Sequence, residues 1–111
     1  MAFLKHFTVI VKPFKTDDVV QAIRSVAPVE LVISECRGYG RQKGHLELYE
    51  GSEYTITFLP KVRIEFTAQA FDQEKIFAAV CAAARTGRIG DGKIFVQDVR
   101  GTDEGADLTG T

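Results

Sequence analysis

A chain of 111 residues fits one domain, and 45% apolar with 26% charged residues excludes a disordered one. A formal net charge of −1 supplies no footprint for nonspecific nucleic-acid binding. No apolar run reaches the ~18–20 residues that span a bilayer, no signal-peptide pattern opens the chain, and Cys36 and Cys81 lack metal-ligand spacing, so a cytoplasmic protein with reduced thiols is expected.

Phe3 to Lys12 is rich in β-branched and aromatic residues. Phe7, Val9 and Val11 fall on one side and His6, Thr8, Ile10 and Lys12 on the other, which predicts a strand ended by Pro13. Thr16 is placed as an N-cap, Asp17 and Asp18 suit a first helical turn, and Val19, Ala22, Ile23 and Val26 follow at helical spacing up to Pro28. A second strand is predicted over Val29 to Cys36, with Val29, Leu31 and Ile33 alternating against Glu30, Val32 and Ser34. The stretch 38–61 is long and polar, and compact domains tolerate such a length chiefly where the loop is functional or disordered.

Alternation returns over Thr55 to Thr67, where Val62, Ile64 and Phe66 oppose a wet face of Lys61, Arg63 and Glu65. Asp72 is expected to cap a second helix with an apolar stripe of Ile76, Phe77, Val80, Cys81 and Ala84. Arg85 falls in its last turn and Gly87 is placed as its C-terminal glycine cap. Lys93 to Val99 reads as a fourth strand, and the acidic, glycine-rich 100–111 as a mobile tail. The order β-α-β-β-α-β predicts an α+β, ferredoxin-like domain: a four-stranded antiparallel sheet with both helices on one face. Ile10 and Val32 leave the other face half-apolar, which implies a homo-oligomer.

Chemistry concentrates in 86–93, TGRIGDGK. Gly87 to Lys93 nearly satisfies the phosphate-loop pattern, but Ile94 stands where a magnesium-binding hydroxyl is needed, and the order is helix, loop, strand. A nucleotide-hydrolysing P-loop is excluded. Three glycines still allow backbone N–H groups to converge on an anion, with Arg85, Arg88 and Lys93 around them. A plain chain-reversing turn with basic neighbours explains the same composition equally well.

RGYGRQKGHLELYEGSEYTITFLPKV, AARTGRIGDGKIFV and the N-terminal VIVKPFKTDDVVQAI closely resemble the PII nitrogen-regulatory signal-transduction family, over about Leu4 to Val99. The resemblance implies a single PII-like domain over 1–111, with a T-loop over about 39–57, a nucleotide loop over about 85–93 and an atypical tail over 100–111. It implies a homotrimer with ATP or ADP between subunits, 2-oxoglutarate bound through Mg-ATP, and a target enzyme, channel or transporter met by the T-loop. By motif position, Gly38, Gly40, Arg41, Gly90, Asp91, Gly92 and Lys93 would surround the phosphates, with Arg41 and Lys93 as charged contacts. Val32 and Ile89 would lie near the adenine, Gln42 would hold the metal and 2-oxoglutarate, and Lys61 would pair with a ligand carboxylate. Tyr54 matches a tyrosine uridylylated in some members and Ser52 a serine phosphorylated in others; an unmodified loop that meets partners directly is the plainer reading. Tyr39 and Tyr49 are expected to pack at the loop base, His45 on its surface, and His6 in the first strand.

The end of the chain departs from the pattern. The family continues past the fourth strand with a segment carrying two phosphate-contacting arginines; here Arg100-Gly-Thr-Asp-Glu-Gly follows Val99 at once, with Arg100 standing in for one of them. Val32 replaces a common hydroxyl residue. Each lost charge-assisted contact removes roughly 1.5–3 kcal/mol. A divergent regulator answering to ADP, AMP or bicarbonate and controlling a transporter or carbon uptake is therefore the alternative. An RNA-binding module is disfavoured by the missing strand aromatics and near-neutral charge, and an enzyme by the lack of a nucleophile, base and orienter set.

Overall fold

The computed structural model describes residues 3–38, 59–88 and 90–99. Strand β1 (Leu4–Val11) leads through a single 3-10 turn (Pro13–Lys15) into helix α1 (Thr16–Val26) and then β2 (Val32–Gly38). The second half repeats the plan: β3 (Leu59–Gln69), a 3-10 turn (Ala70–Asp72), α2 (Gln73–Ala84) and β4 (Gly92–Val99). The strands pair antiparallel in the order β2-β3-β1-β4, which is the ferredoxin-like βαββαβ arrangement expected from the element order.

Alternation along the central strands decides which face is covered. Phe7, Val9 and Val11 from β1 and Val62, Ile64, Phe66 and Ala68 from β3 are buried together with Val19 and Ile23 of α1 and Ile76 and Val80 of α2. Phe7 is the centre of this core, stacked on Phe66 at 4.9 Å between ring centroids and meeting the edge of Phe77 at 6.5 Å. Burying side chains of this size contributes about 1.5–3 kcal/mol each before conformational entropy is charged against it.

Several local expectations change. Thr16 does not cap α1, because its hydroxyl donates to the Pro13 carbonyl at 2.8 Å and closes the 3-10 turn. Asp72 occupies the N-cap position of α2 without a capping hydrogen bond; its carboxylate pairs with Lys75 at 3.1 Å. Cys81 was expected in the apolar stripe but is exposed, while Ala83 packs against the core. Gly87 does not cap α2: the helix ends with Arg85 at its C-cap in extended backbone, and Gly87 takes its positive φ two residues later. The second strand starts at Val32, since Val29 and Leu31 instead pack on the core and the Val29 N–H goes to the Ala27 carbonyl. Cys36 and Cys81 are both free thiols.

On the face away from the helices, Val32 and Phe95 are 65% and 52% exposed, in the same cross-strand row as Glu65 and Thr8. His6 also lies on this face, with its imidazole 3.3 Å from the Glu65 carboxylate.

Candidate functional site

Strand register builds the site. Val11 pairs with Val62 on one side and Gly92 on the other, so Lys12, Lys61 and Asp91 follow as neighbours in the next row at the sheet's end. Gly92 has φ +134, and a Cβ there would overlap the Ile10 carbonyl oxygen, so only glycine lets β4 start this close to β1.

The connection between α2 and β4 is organised by one carboxylate. Asp91 Oδ2 accepts the backbone N–H groups of Thr86 at 2.7 Å and Gly87 at 2.9 Å. Its Oδ1 accepts the Thr86 hydroxyl and meets the Lys12 ammonium at 3.1 Å. The Thr86 oxygen in turn accepts the Arg88 N–H at 3.2 Å. The hydrogen bonds from the Thr86 side chain and backbone, aided by weaker ones from Lys12 and Gly87, hold the Asp91 carboxyl well below the usual carboxylate range, against an opposing effect of desolvation. Gly87 and Gly90 both take positive φ, at 85° and 88°, which gives the connection its tight curvature.

Lys61 closes the other side. Its Nζ donates to the Gly90 carbonyl at 2.7 Å, and the residue is only 8% exposed, although strand alternation assigns it to a wet face. Burial, followed by the like charge of Lys12, lowers its pKa, while Asp91 and Cys36 oppose the shift. A Cβ on Gly38 would stand 3.3 Å from the Lys61 stem, so the first residue of the site on β2 leaves room for the lysine of β3.

Gly38, Lys61, Gly90, Asp91 and Gly92 are thus brought together, with Lys93 at the start of β4 beside them. Around Gly92 and Lys93 a cavity of about 190 Å³ is lined also by Ile10, Val80, Cys81 and Arg85. Val32 is elsewhere: it lines a separate cavity of about 630 Å³ with Val29, Glu30, His6, Glu65 and Thr67. Among the described residues, one chain therefore does not unite those assigned to the phosphates with Val32, assigned to the adenine. Gly40, Arg41, Gln42, Ser52, Tyr54, Ile89 and Arg100 lie outside the described residues, as do Tyr39, His45, Tyr49 and the rest of 100–111.

Two contributors escaped sequence reasoning. Thr86 carried a readable signal, a hydroxyl five residues before an aspartate in a glycine turn. Lys12 carried none, since its link to Asp91 spans the sheet register. As for a metal, the four acceptor positions of Asp91 are all taken, and among the described residues no group of three His, Cys, Asp or Glu side chains could hold an ion. These residues do not by themselves fit magnesium. No helix of the described residues is long and apolar enough to cross a membrane.

A family model described as nitrogen regulatory protein P-II matches residues 4–103. The chain is 48% identical over 96 residues to the nitrogen regulatory protein P-II of Rhizobium meliloti, covering 86% of both chains. It is 47% identical over 97 residues to nitrogen regulatory protein GlnK of Escherichia coli, covering 87% of both. Among solved structures, a Bacillus subtilis GlnK–ATP complex shares the fold with a TM-score of 0.71 at 24% identity, covering 88% of this chain and 85% of that one.

Proposed function

The chain belongs to the nitrogen regulatory protein P-II family, and on that premise we propose that it is a regulatory binding protein, not an enzyme, taking ATP or ADP in clefts between the subunits of a homotrimer. One observation carries this reading. The connection 85–91 is a glycine turn shaped by Asp91, it carries Arg85 and Arg88 and leads into Lys93, and its own acid is engaged by the loop and by Lys12. Such a turn suits phosphates, which want N–H donors and cations.

The division of the site supports placing it between subunits. A cavity of about 190 Å³ beside Lys93 is smaller than the ~300–1,000 Å³ usual for a ligand pocket, and Val32 lines a different one. Apposing the Val32 side of one copy to the Lys93 side of another would complete both and cover the exposed Val32 and Phe95. The solved Bacillus subtilis relative is itself a complex with ATP.

In this reading Gly38, Gly40, Arg41, Gly90, Gly92, Lys93 and Arg100 surround the phosphates, and Val32 and Ile89 meet the adenine. Gln42 and Lys61 take 2-oxoglutarate together with magnesium brought by ATP. Lys61 is buried and spends one donor on Gly90, so a carboxylate arriving there would compete with the loop carbonyl for it. Residues 39–57, with Tyr54 and Ser52 as candidate modification sites, would carry the signal to a target enzyme, channel or transporter. Free thiols suit a cytoplasmic setting.

The acidic sequence after Arg100 favours one second reading, a divergent regulator tuned to ADP, AMP or bicarbonate. Titration with each nucleotide and magnesium, with and without 2-oxoglutarate and then with bicarbonate, separates the two. ATP binding strengthened by 2-oxoglutarate and insensitive to it in Gln42→Ala supports the nitrogen sensor. ADP or AMP binding without an oxoacid effect supports the divergent regulator. Sedimentation of a monomer at working concentration would rule out sites shared between subunits.

A further inference from the structure

We propose that Lys12 and Thr86 are positioning residues: with Asp91 they form a carboxylate clamp that shapes the α2–β4 connection before any anion arrives, so that Asp91 faces its own loop and not the ligand. The proposal rests on the anion-binding reading of this connection. Placed by motif alone, Asp91 is one more residue around the phosphates. A carboxylate in direct contact with phosphate oxygens would oppose binding, and the geometry gives it different work.

A carboxylate offers about four acceptor positions. At Asp91 all four are used: Thr86 N–H and Gly87 N–H on Oδ2, Thr86 hydroxyl and Lys12 ammonium on Oδ1. The Thr86 hydroxyl is equally spent, donating to Asp91 while its oxygen accepts the Arg88 N–H and lies 3.5 Å from Lys12 Nζ. The clamp therefore ties three consecutive residues of the turn, 86, 87 and 88, to the end of β1. It also neutralises the acid within the loop, which leaves Arg85, Arg88 and Lys93 to set the sign of the site. Ordering the turn in advance removes an entropic cost that the ligand would otherwise meet.

The discriminating variant is Asp91→Asn, which keeps the shape and removes the charge. If Asp91 merely stood near the phosphates, losing its charge would tighten Mg-ATP binding. The clamp predicts the opposite sign, a weakening of about ten-fold or more, equivalent to the ~1.4 kcal/mol per decade of affinity. In the ligand-free protein, amide exchange at Thr86 and Gly87 should speed up about ten-fold in Asp91→Asn, with Thr86→Val loosening Arg88 as well. Lys12→Met should weaken ATP binding in the parent and have little further effect in Asp91→Asn, whereas a lysine acting directly on phosphate would cost the same in both backgrounds.

Unchanged exchange at Thr86 and Gly87 in Asp91→Asn would overturn the clamp even if ATP binds, and so would ATP binding equal to or tighter than the parent's. Failure of the parent to bind any nucleotide would instead remove the anion-binding reading, and the ligand-free exchange would still decide the clamp. Should Asp91→Asn not fold, Thr86→Val alone carries the exchange test.

Discussion

The two halves of the domain enter their helices in the same way and leave them differently. Pro13–Lys15 and Ala70–Asp72 are matching 3-10 turns, each with a phenylalanine, Phe14 or Phe71, exposed at its middle. After α1, the chain reaches β2 over apolar residues: Ala27 is 1% exposed, and Val29 and Leu31 pack on the core. After α2, the same topological step is made by a glycine turn with few apolar groups, held by Asp91, Thr86 and Lys12. A connection held by carbon has its polar groups used up or turned to water. A connection held by one carboxylate keeps a curved backbone, which under the proposed reading is what an anion would meet. Equivalent places in a pseudo-repeat thus divide into a packing element and the polar connection proposed as the anion site.

The contrast breaks most severely at Gly92. Gly92→Ala forces a Cβ into the Ile10 carbonyl at positive φ, and should cost about 3 kcal/mol or more, read as a fall in the thermal midpoint. At the other connection, Ala27→Asp buries an unpaired charge and should cost about 2–3 kcal/mol, yet leave amide exchange at Gly87 unchanged. Equal loosening of both connections would mean that they are not independent. Gly87→Ala is milder, about 1 kcal/mol, because its φ of +85 is unfavourable for alanine but nothing lies within 4 Å of the added Cβ. A denaturation midpoint moved no more by Gly92→Ala than by Gly87→Ala would contradict the steric account of β4.

Acid gives the gentlest comparison. Asp91 ionises below its ordinary 3.8, so its contribution is complete above that value and is lost only as the pH falls further, through the lowered native value. Exchange at Gly87, corrected for its intrinsic pH dependence, should stay protected at pH 4 and loosen in stronger acid. Loosening already complete at pH 4 would show that the carboxylate is not held as described. Among the described residues the Ala27–Leu31 connection has no such carboxylate tie, and it should show no matching step.

Much of this was legible in the sequence because side-chain period is local. Phe7, Val9 and Val11, Val62, Ile64 and Phe66, Val19 and Ile23, and Ile76 and Val80 all face the core as their spacing requires. What failed was set by distant contacts or by geometry at an element's end. Lys61 fits a wet face by alternation, yet the loop 29 residues further on folds its Gly90 carbonyl over the ammonium. Cys81 fits the helical stripe, but near the end of α2 it borders the cavity beside Gly92 and not the core. Thr16 and Gly87 are cap-forming residues drawn off by the adjacent turns, one by Pro13 and the other by Asp91. The family signature assigned Asp91 to the phosphates without saying that its carboxylate is engaged by Thr86, Gly87 and Lys12, since that depends on Lys12, 79 positions away across the sheet.

Calorimetric titration of the intact protein with Mg-ATP, beside Lys93→Ala, tests the central claim most directly. Saturable binding of one nucleotide per chain, weakened at least ten-fold by Lys93→Ala, is the predicted result. No binding by the parent, or equal binding by Lys93→Ala, would contradict the assignment of the α2–β4 connection as the nucleotide site.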